Sequence, residues 1–276
     1  MKTFGKLSIS IAKRLKLDRF KKIDLIAPLG VGVFCLLAWE FIVYINQIPD
    51  YLLPSPRRVI AALITEWGHL IPALAITTQI AIVSLIVAVV SGVAIAVLMA
   101  QSKWIERSLF PYAVLLQTMP IAAIAPLIIV LLKNNTFAAL VVCAWLAAVF
   151  PIIASTTFGL NSCDRTLSRV FQLYGASPLQ TLLYLRWPSA MPYFLSGLRI
   201  SGGLALIGAV VAEFVAGTGG KDSGIAYQIL ISSYNLEIPK MFAALLLVTG
   251  LGIIIFTIIS IISALAIGHW HESNDR

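Results

Sequence analysis

Residues 161–192 read NSCDRTLSRVFQLYGASPLQTLLYLRWPSAMP, the longest polar-containing segment between two strongly apolar runs. Its punctuation is specific. Gly175 can close one helix in the left-handed conformation, and Ser177-Pro178 supplies an N-cap and a first helical residue for the next. Pro188 and Pro192 are expected to stop that second helix before the following apolar run. Two short helices meeting at a sharp corner on a membrane face fit this pattern. An ordinary amphipathic loop between two membrane spans satisfies the same turn signals.

Outward from this segment, the composition is that of a membrane protein. The 276 residues are 59% hydrophobic and 12% charged, with a mean hydropathy of +0.94. A soluble domain carries roughly 25% charged residues. The net charge of +8 does not describe a nucleic-acid surface, because eight of the twenty Lys and Arg precede Asp24 with no accompanying aromatic patch. Cys35, Cys143 and Cys163 lack the spacing of a disulfide framework or a metal site. His69, His269 and His271 fall near span ends and form no catalytic pattern. The expectation is therefore no metal, no cofactor and no catalytic residues.

Six apolar runs of bilayer-crossing length follow the basic segment 1–24, near 26–45, 74–99, 109–132, 137–158, 193–215 and 241–267. The basic segment lacks the long apolar core and small-residue cleavage site of a signal peptide. It fits a basic tether or an interfacial helix on anionic lipid. The expected organisation is one all-α integral membrane domain over 25–268, with 161–192 as an internal loop and 269–276 as a tail. With the N-terminus inside, fourteen Lys and Arg fall in cytoplasmic segments and five in outer ones. Arg199, near the start of the fifth run, can snorkel inward. This bias predicts that both termini and residues 161–192 are cytoplasmic.

The spacing around Gly175 resembles the loop signature of the inner-membrane permeases of ATP-driven, binding-protein-dependent (ABC) importers: Glu-Ala-Ala, three residues, Gly, nine residues, Ile-x-Leu-Pro. Here Arg169, Val170 and Phe171 occupy the Glu-Ala-Ala positions, and Leu185 and Trp187 precede Pro188. Tyr174-Gly175-Ala176-Ser177 and Pro188-Ser189-Ala190-Met191-Pro192 look like the nitrate/sulfonate/taurine branch, as do Leu53-Pro54-Ser55-Pro56 and Ala212-Glu213-Phe214-Val215-Ala216-Gly217. The resemblance implies six transmembrane helices in the type I (MetI-like) permease fold and a location in a bacterial inner membrane. It also implies that Arg169, Val170, Phe171, Tyr174, Gly175, Ala176, Ser177, Pro178 and Pro188 form a coupling segment against a separate ATP-binding cassette ATPase. The further partners it implies are a second permease, most simply an identical copy, and an extracytoplasmic substrate-binding protein. The solute would be small and polar or anionic, such as nitrate, a sulfonate, taurine or bicarbonate. A vitamin precursor of the thiamine-pyrimidine or riboflavin kind is the alternative within the same class.

Three further stretches bear on the path of a solute. Ser55 as N-cap and Pro56 at the first helical position predict a short helix to about Trp67 along the outer surface. The third run contains Gln117-Thr118-Met119-Pro120 and Pro126, whose freed carbonyls cannot face lipid. A packing kink accounts for Pro126, whereas the family resemblance favours Thr118, Met119 and Pro120 as lining a pathway. In the fifth run Gly197, Ser201, Ala205 and Ala209 form a small-residue packing stripe that continues to Glu213. An intramembrane carboxylate is costly and faces protein or a cavity. Glu213 is expected to be hydrogen-bonded at the outer gate by Lys133, Lys221 or the N-terminus of a neighbouring helix.

Residues 217–224, GTGGKDSG, imitate a phosphate loop. They lack its first Gly (Val215) and its Ser or Thr after Lys221, so the chain is expected to carry no ATPase and to be no enzyme. A secondary transporter with Glu213 as its ion site would be expected to show inverted repeats, which are not seen in the sequence.

Overall fold

The computed structural model describes residues 28–132, 135–217 and 223–267. The basic segment 1–24, the tail 269–276 and most of the 217–224 loop lie outside the described residues, as do Lys133 and Lys221. Among the described residues the regular structure is helical. In chain order the helices are α1 (Pro28–Ile45), α2 (Pro56–Thr65), α3 (Trp67–Gln101), α4 (Lys103–Thr118), α5 (Ile121–Leu131) and α6 (Thr136–Asn161). They continue with α7 (Arg165–Leu173), α8 (Pro178–Thr181), a π-helical turn at Leu182–Arg186, α9 (Trp187–Ala216), α10 (Ile225–Tyr234) and α11 (Ile238–Ile267). Among the described residues five segments are long and apolar enough to cross a membrane, and six if α4 and α5 are taken as one broken span.

α6 is the central helix, packed between α3 and α9, and more than half of its apolar window is buried. The core is built from small side chains. Ala88, Ala96, Ala144, Ala148, Ala205, Ala209 and Ala212 are fully buried. Lipid offers as much apolar contact as another helix does, so association depends on close backbone approach. The stripe on α9 provides it. A Cβ on Gly197 would lie 2.7 Å from the Pro151 carbonyl, and one on Gly208 would lie 2.9 Å from Ala144 Cα. Between them Ser201 donates a 2.6 Å hydrogen bond to the Ala148 carbonyl of α6. The stripe thus packs as its spacing suggests.

Several boundaries differ from the sequence reading. α3 starts at Trp67, well before 74, and its 35 residues measure about 50 Å, longer than the ~30 Å hydrocarbon layer. The third span is not one kinked helix: α4 and α5 meet at a bend of 95°. A residue before proline is driven out of the helical region, so α4 ends at Thr118. Met119 and Pro120 are then extended, with ψ of 124° and 101°. Pro126, by contrast, is accommodated inside α5.

Pro188 and Pro192 do not stop the helix before the fifth span. Pro178–Ala216 form one continuous segment of 39 residues. Pro192 sits inside α9, and at Pro188 the π-turn explains the continuity. The Trp187 N–H bonds back to the Leu182 carbonyl, five residues earlier. That wider turn removes the crowding a proline ring would meet at the carbonyl four residues before it. Pro188 follows directly on this π-turn, and Ser189 Oγ donates to the Leu185 carbonyl at 2.8 Å.

At the end of the bundle where α1 finishes and α11 begins, polar pairs collect. Arg57 lies 3.4 Å from Glu40, Arg58 lies 3.3 Å from Asp50, and Lys240 lies 2.9 Å from Glu66. Glu40 is therefore a partner of the exposed helix α2. That helix starts where Ser55-Pro56 places it, with Ser55 Oγ accepting from Arg58 N at 3.5 Å.

Candidate functional site

The corner within 161–192 is assembled from local signals. Asp164 caps α7 by accepting from Thr166 N at 2.7 Å. The helix ends on a left-handed Gly175 with φ +70°. Gly175 N donates to the Gln172 carbonyl and Ala176 N to the Phe171 carbonyl, both at 3.0 Å, which together form a Schellman closure. One residue later Ser177 opens α8 in a reciprocal capping box. Ser177 Oγ accepts from Gln180 N at 3.2 Å, and Gln180 Oε1 accepts from Ser177 N at 2.8 Å.

The corner presents apolar surface outward. Leu173 is 85% exposed and Tyr174 88%, with Leu167, Leu179, Leu183 and Tyr184 also exposed. Arg169, Val170, Gly175, Ser177, Pro178 and Pro188 are exposed as well, while Phe171 and Ala176 are half-buried. The opposite side anchors it. Leu185 is buried, and Trp187 packs against Ala100, Leu160 and Ala190 and on the ring of Phe194. Arg186 Nη1 donates to the Ala100 carbonyl at 3.0 Å and so satisfies a carbonyl of the last turn of α3.

At the far end of the same continuous segment sits Glu213, only 3% exposed. One carboxylate oxygen accepts from Thr77 Oγ1 at 2.7 Å and the other from Ala226 N at 3.0 Å. Thr77 Oγ1 in turn accepts from Ile225 N at 2.9 Å. The carboxylate and the hydroxyl together cap the first turn of α10, where free N–H groups favour negative charge. A Cβ on Gly224 would collide with the carboxylate, so only glycine admits it there. Of the expected partners, Lys133 and Lys221 lie outside the described residues, and the helix N-terminus is the one found.

Thr118, Met119 and Pro120 stand exposed at the α4–α5 bend. Thr118 Oγ1 donates to the Leu115 carbonyl at 3.0 Å. Thr77 was missed from the sequence, where it reads as one more hydroxyl that could bond its own helix. Its signal was weak: a Thr-Thr pair in an otherwise aliphatic run. Arg186 was equally unreadable as a link to α3, since its acceptor lies 86 residues away.

Comparison with known proteins now gives the class. The family of binding-protein-dependent transport system inner membrane components matches residues 88–268. A probable ABC transporter permease protein of Haemophilus influenzae is 32% identical over 243 residues, covering 85% of this chain and 94% of its own. The formylaminopyrimidine transport permease protein ThiX of Halalkalibacterium halodurans is 32% identical over 229 residues, 81% of this chain and 88% of its own. The putative aliphatic sulfonates transport permease protein SsuC of Escherichia coli is 27% identical, over 82% and 85%. Permeases named for nitrate and taurine also match. A crystal structure of an amino acid ABC transporter with histidines superposes with a TM-score of 0.57 at 16% identity, covering 74% of this chain and 95% of that one. At that identity the likeness concerns the fold alone. The chain belongs to the permease family of binding-protein-dependent ABC importers, in its nitrate/sulfonate/taurine branch. It is a multi-pass membrane protein with the MetI-like helical fold.

Proposed function

We propose that this permease forms the translocation path for a small polar or anionic solute and couples it to a separate ATPase through the corner at Arg169–Pro178 and Pro188. The observation that carries this reading is the unbroken run from α8 to Ala216. One end of that run is the exposed apolar corner, and the other is Glu213, which holds α10. A push on the corner would travel along one continuous helical segment of 39 residues. The lever would move α10 against α3 through Glu213 and Thr77.

Residues 161–192 and both chain termini belong on the cytoplasmic side in this proposal, because ATP is there and the Lys and Arg excess marks that face. The basic segment 1–24 and the tail 269–276 would flank the domain 25–268 on that side. An inner-membrane location, a second copy of the chain and an extracytoplasmic binding protein complete the assembly. Thr118, Met119 and Pro120 would line the path where the third span breaks. Glu213 would position the outer end without contacting solute. Relatives named for sulfonates, nitrate and taurine favour an anionic or zwitterionic cargo. Those named for formylaminopyrimidine and riboflavin favour a vitamin precursor of the same importer class.

Affinity purification of the full chain from its native membrane tests the proposal. An ATPase subunit is expected to co-purify, and its ATP hydrolysis is expected to rise when the cognate binding protein is added with its solute. Failure to recover any ATPase from gently solubilised membranes would overturn it.

A further inference from the structure

An open apolar groove runs between α9 and α11, with a cation at one end. Its walls include Gly203, Ile207 and Val210 of α9 and Gly252, Ile253 and Phe256 of α11. The glycines keep it open. A Cβ on Gly203 would meet nothing within 4 Å, and one on Gly252 would meet only Leu206 Cδ2 at 3.4 Å. The groove offers almost no polarity, since the hydroxyl of its one polar lining residue, Thr249, donates to the Leu245 carbonyl at 2.9 Å. Arg199 stands one turn from Gly203 on the same helix face and lies over the Phe256 ring, 5.6 Å from its centroid. Among the described residues no carboxylate pairs with it.

We propose that this groove holds an acyl chain of an anionic phospholipid whose phosphate is bound by Arg199. A groove of this volume, about 520 Å³, cannot stay wet or empty inside a bilayer and must take an apolar occupant. An unpaired guanidinium on a membrane helix is stabilised by an anion within reach. One molecule supplies both, with a tail for the groove and a phosphate for the planar, forked donors of arginine. Arg199 is twelve residues into α9, about 18 Å along the helix. From there a long arginine side chain can reach the headgroups of the leaflet on the side of residues 161–192. Phe256 stacks beneath the guanidinium and holds it at the mouth of the groove. The proposal depends on the chain lying in a membrane and not on its cargo or its coupling partner.

Native mass spectrometry of the full-length protein, equilibrated in nanodiscs of equal phosphatidylglycerol and phosphatidylcholine, tests it. The wild type is expected to retain phosphatidylglycerol about fivefold over phosphatidylcholine. Arg199→Gln is expected to bring that ratio close to one, and Arg199→Lys to keep part of it. Gly203→Leu fills the floor of the groove and is expected to lower retention of both lipids. Equal retention by the wild type, or an Arg199→Gln ratio as high as wild type, overturns the proposal. So does efficient cross-linking between two copies through Gly203→Cys, which would make this face a contact between permeases. If Gly203→Leu fails to insert, the Arg199 pair still decides.

Discussion

A carboxylate survives in the hydrocarbon layer only where its acceptor positions are met, and Glu213 meets them with Thr77 and the first N–H groups of α10. Glu213→Gln keeps the shape and one oxygen, while its amide donates where the Thr77 hydroxyl can turn to accept. Uptake and membrane level are therefore expected to stay near wild type. Glu213→Leu strands the Ala226 N–H and leaves the Thr77 hydroxyl only the Ala73 carbonyl at 3.4 Å, and is expected to impair assembly or transport. A change in solute affinity or selectivity for Glu213→Gln at normal expression would show that the residue touches cargo. Thr77→Val is the complementary change. It orphans the Ile225 N–H and one carboxylate oxygen in a buried place, at a cost of about 1–3 kcal/mol. The expected result is a lowered melting temperature in detergent, restored by Thr77→Ser.

At the scale of the element, two turns make opposite predictions. Gly175 sits at φ +70°, and a β-branched side chain there costs on the order of 1–2 kcal/mol. Gly175→Val is expected to reach the membrane yet lose uptake and stimulated ATP hydrolysis, because α8 would leave the corner at the wrong angle. Coupling at the wild-type level in that variant would reduce the corner to a linker. α10 ends in the same way on Leu236, which takes φ +60° without the freedom of glycine. Its N–H and that of Glu237 bond back to Ser233 and Ser232, at 3.2 and 2.8 Å. Leu236 is 65% exposed, so its side chain has little packing to lose. Leu236→Gly is expected to raise stability by about 1 kcal/mol, read as a higher melting temperature. A fall would show that the leucine is held by something outside the chain.

For the whole molecule the decisive quantity is orientation. Cys163 is partly accessible at the start of the corner, whereas Cys35 and Cys143 lie in α1 and α6. In a Cys35→Ser, Cys143→Ser background, a membrane-impermeant thiol reagent is expected to label Cys163 only in inverted vesicles or permeabilised cells. Labelling on intact cells would reverse the topology and remove the corner from the ATPase.

The corner could be read from one stretch of sequence because Asp164, Gly175, Ser177 and Gln180 act on neighbours no more than four residues away. Hydropathy made the spans legible for a similar reason: partition into lipid depends on the composition of each run, not on its neighbours. The same local logic failed at Pro188, where a π-turn carries the helix onward, at Pro192, which sits inside α9, and at Met119-Pro120, where the third run breaks at 95°. A proline shows that a carbonyl must be released but not how the chain disposes of it. Thr77 against Glu213, Arg186 against Ala100 and Arg199 above Phe256 lay wholly beyond a linear reading. Each joins groups from different helices, and which faces meet is settled only when small residues along α6 and α9 let the backbones close together.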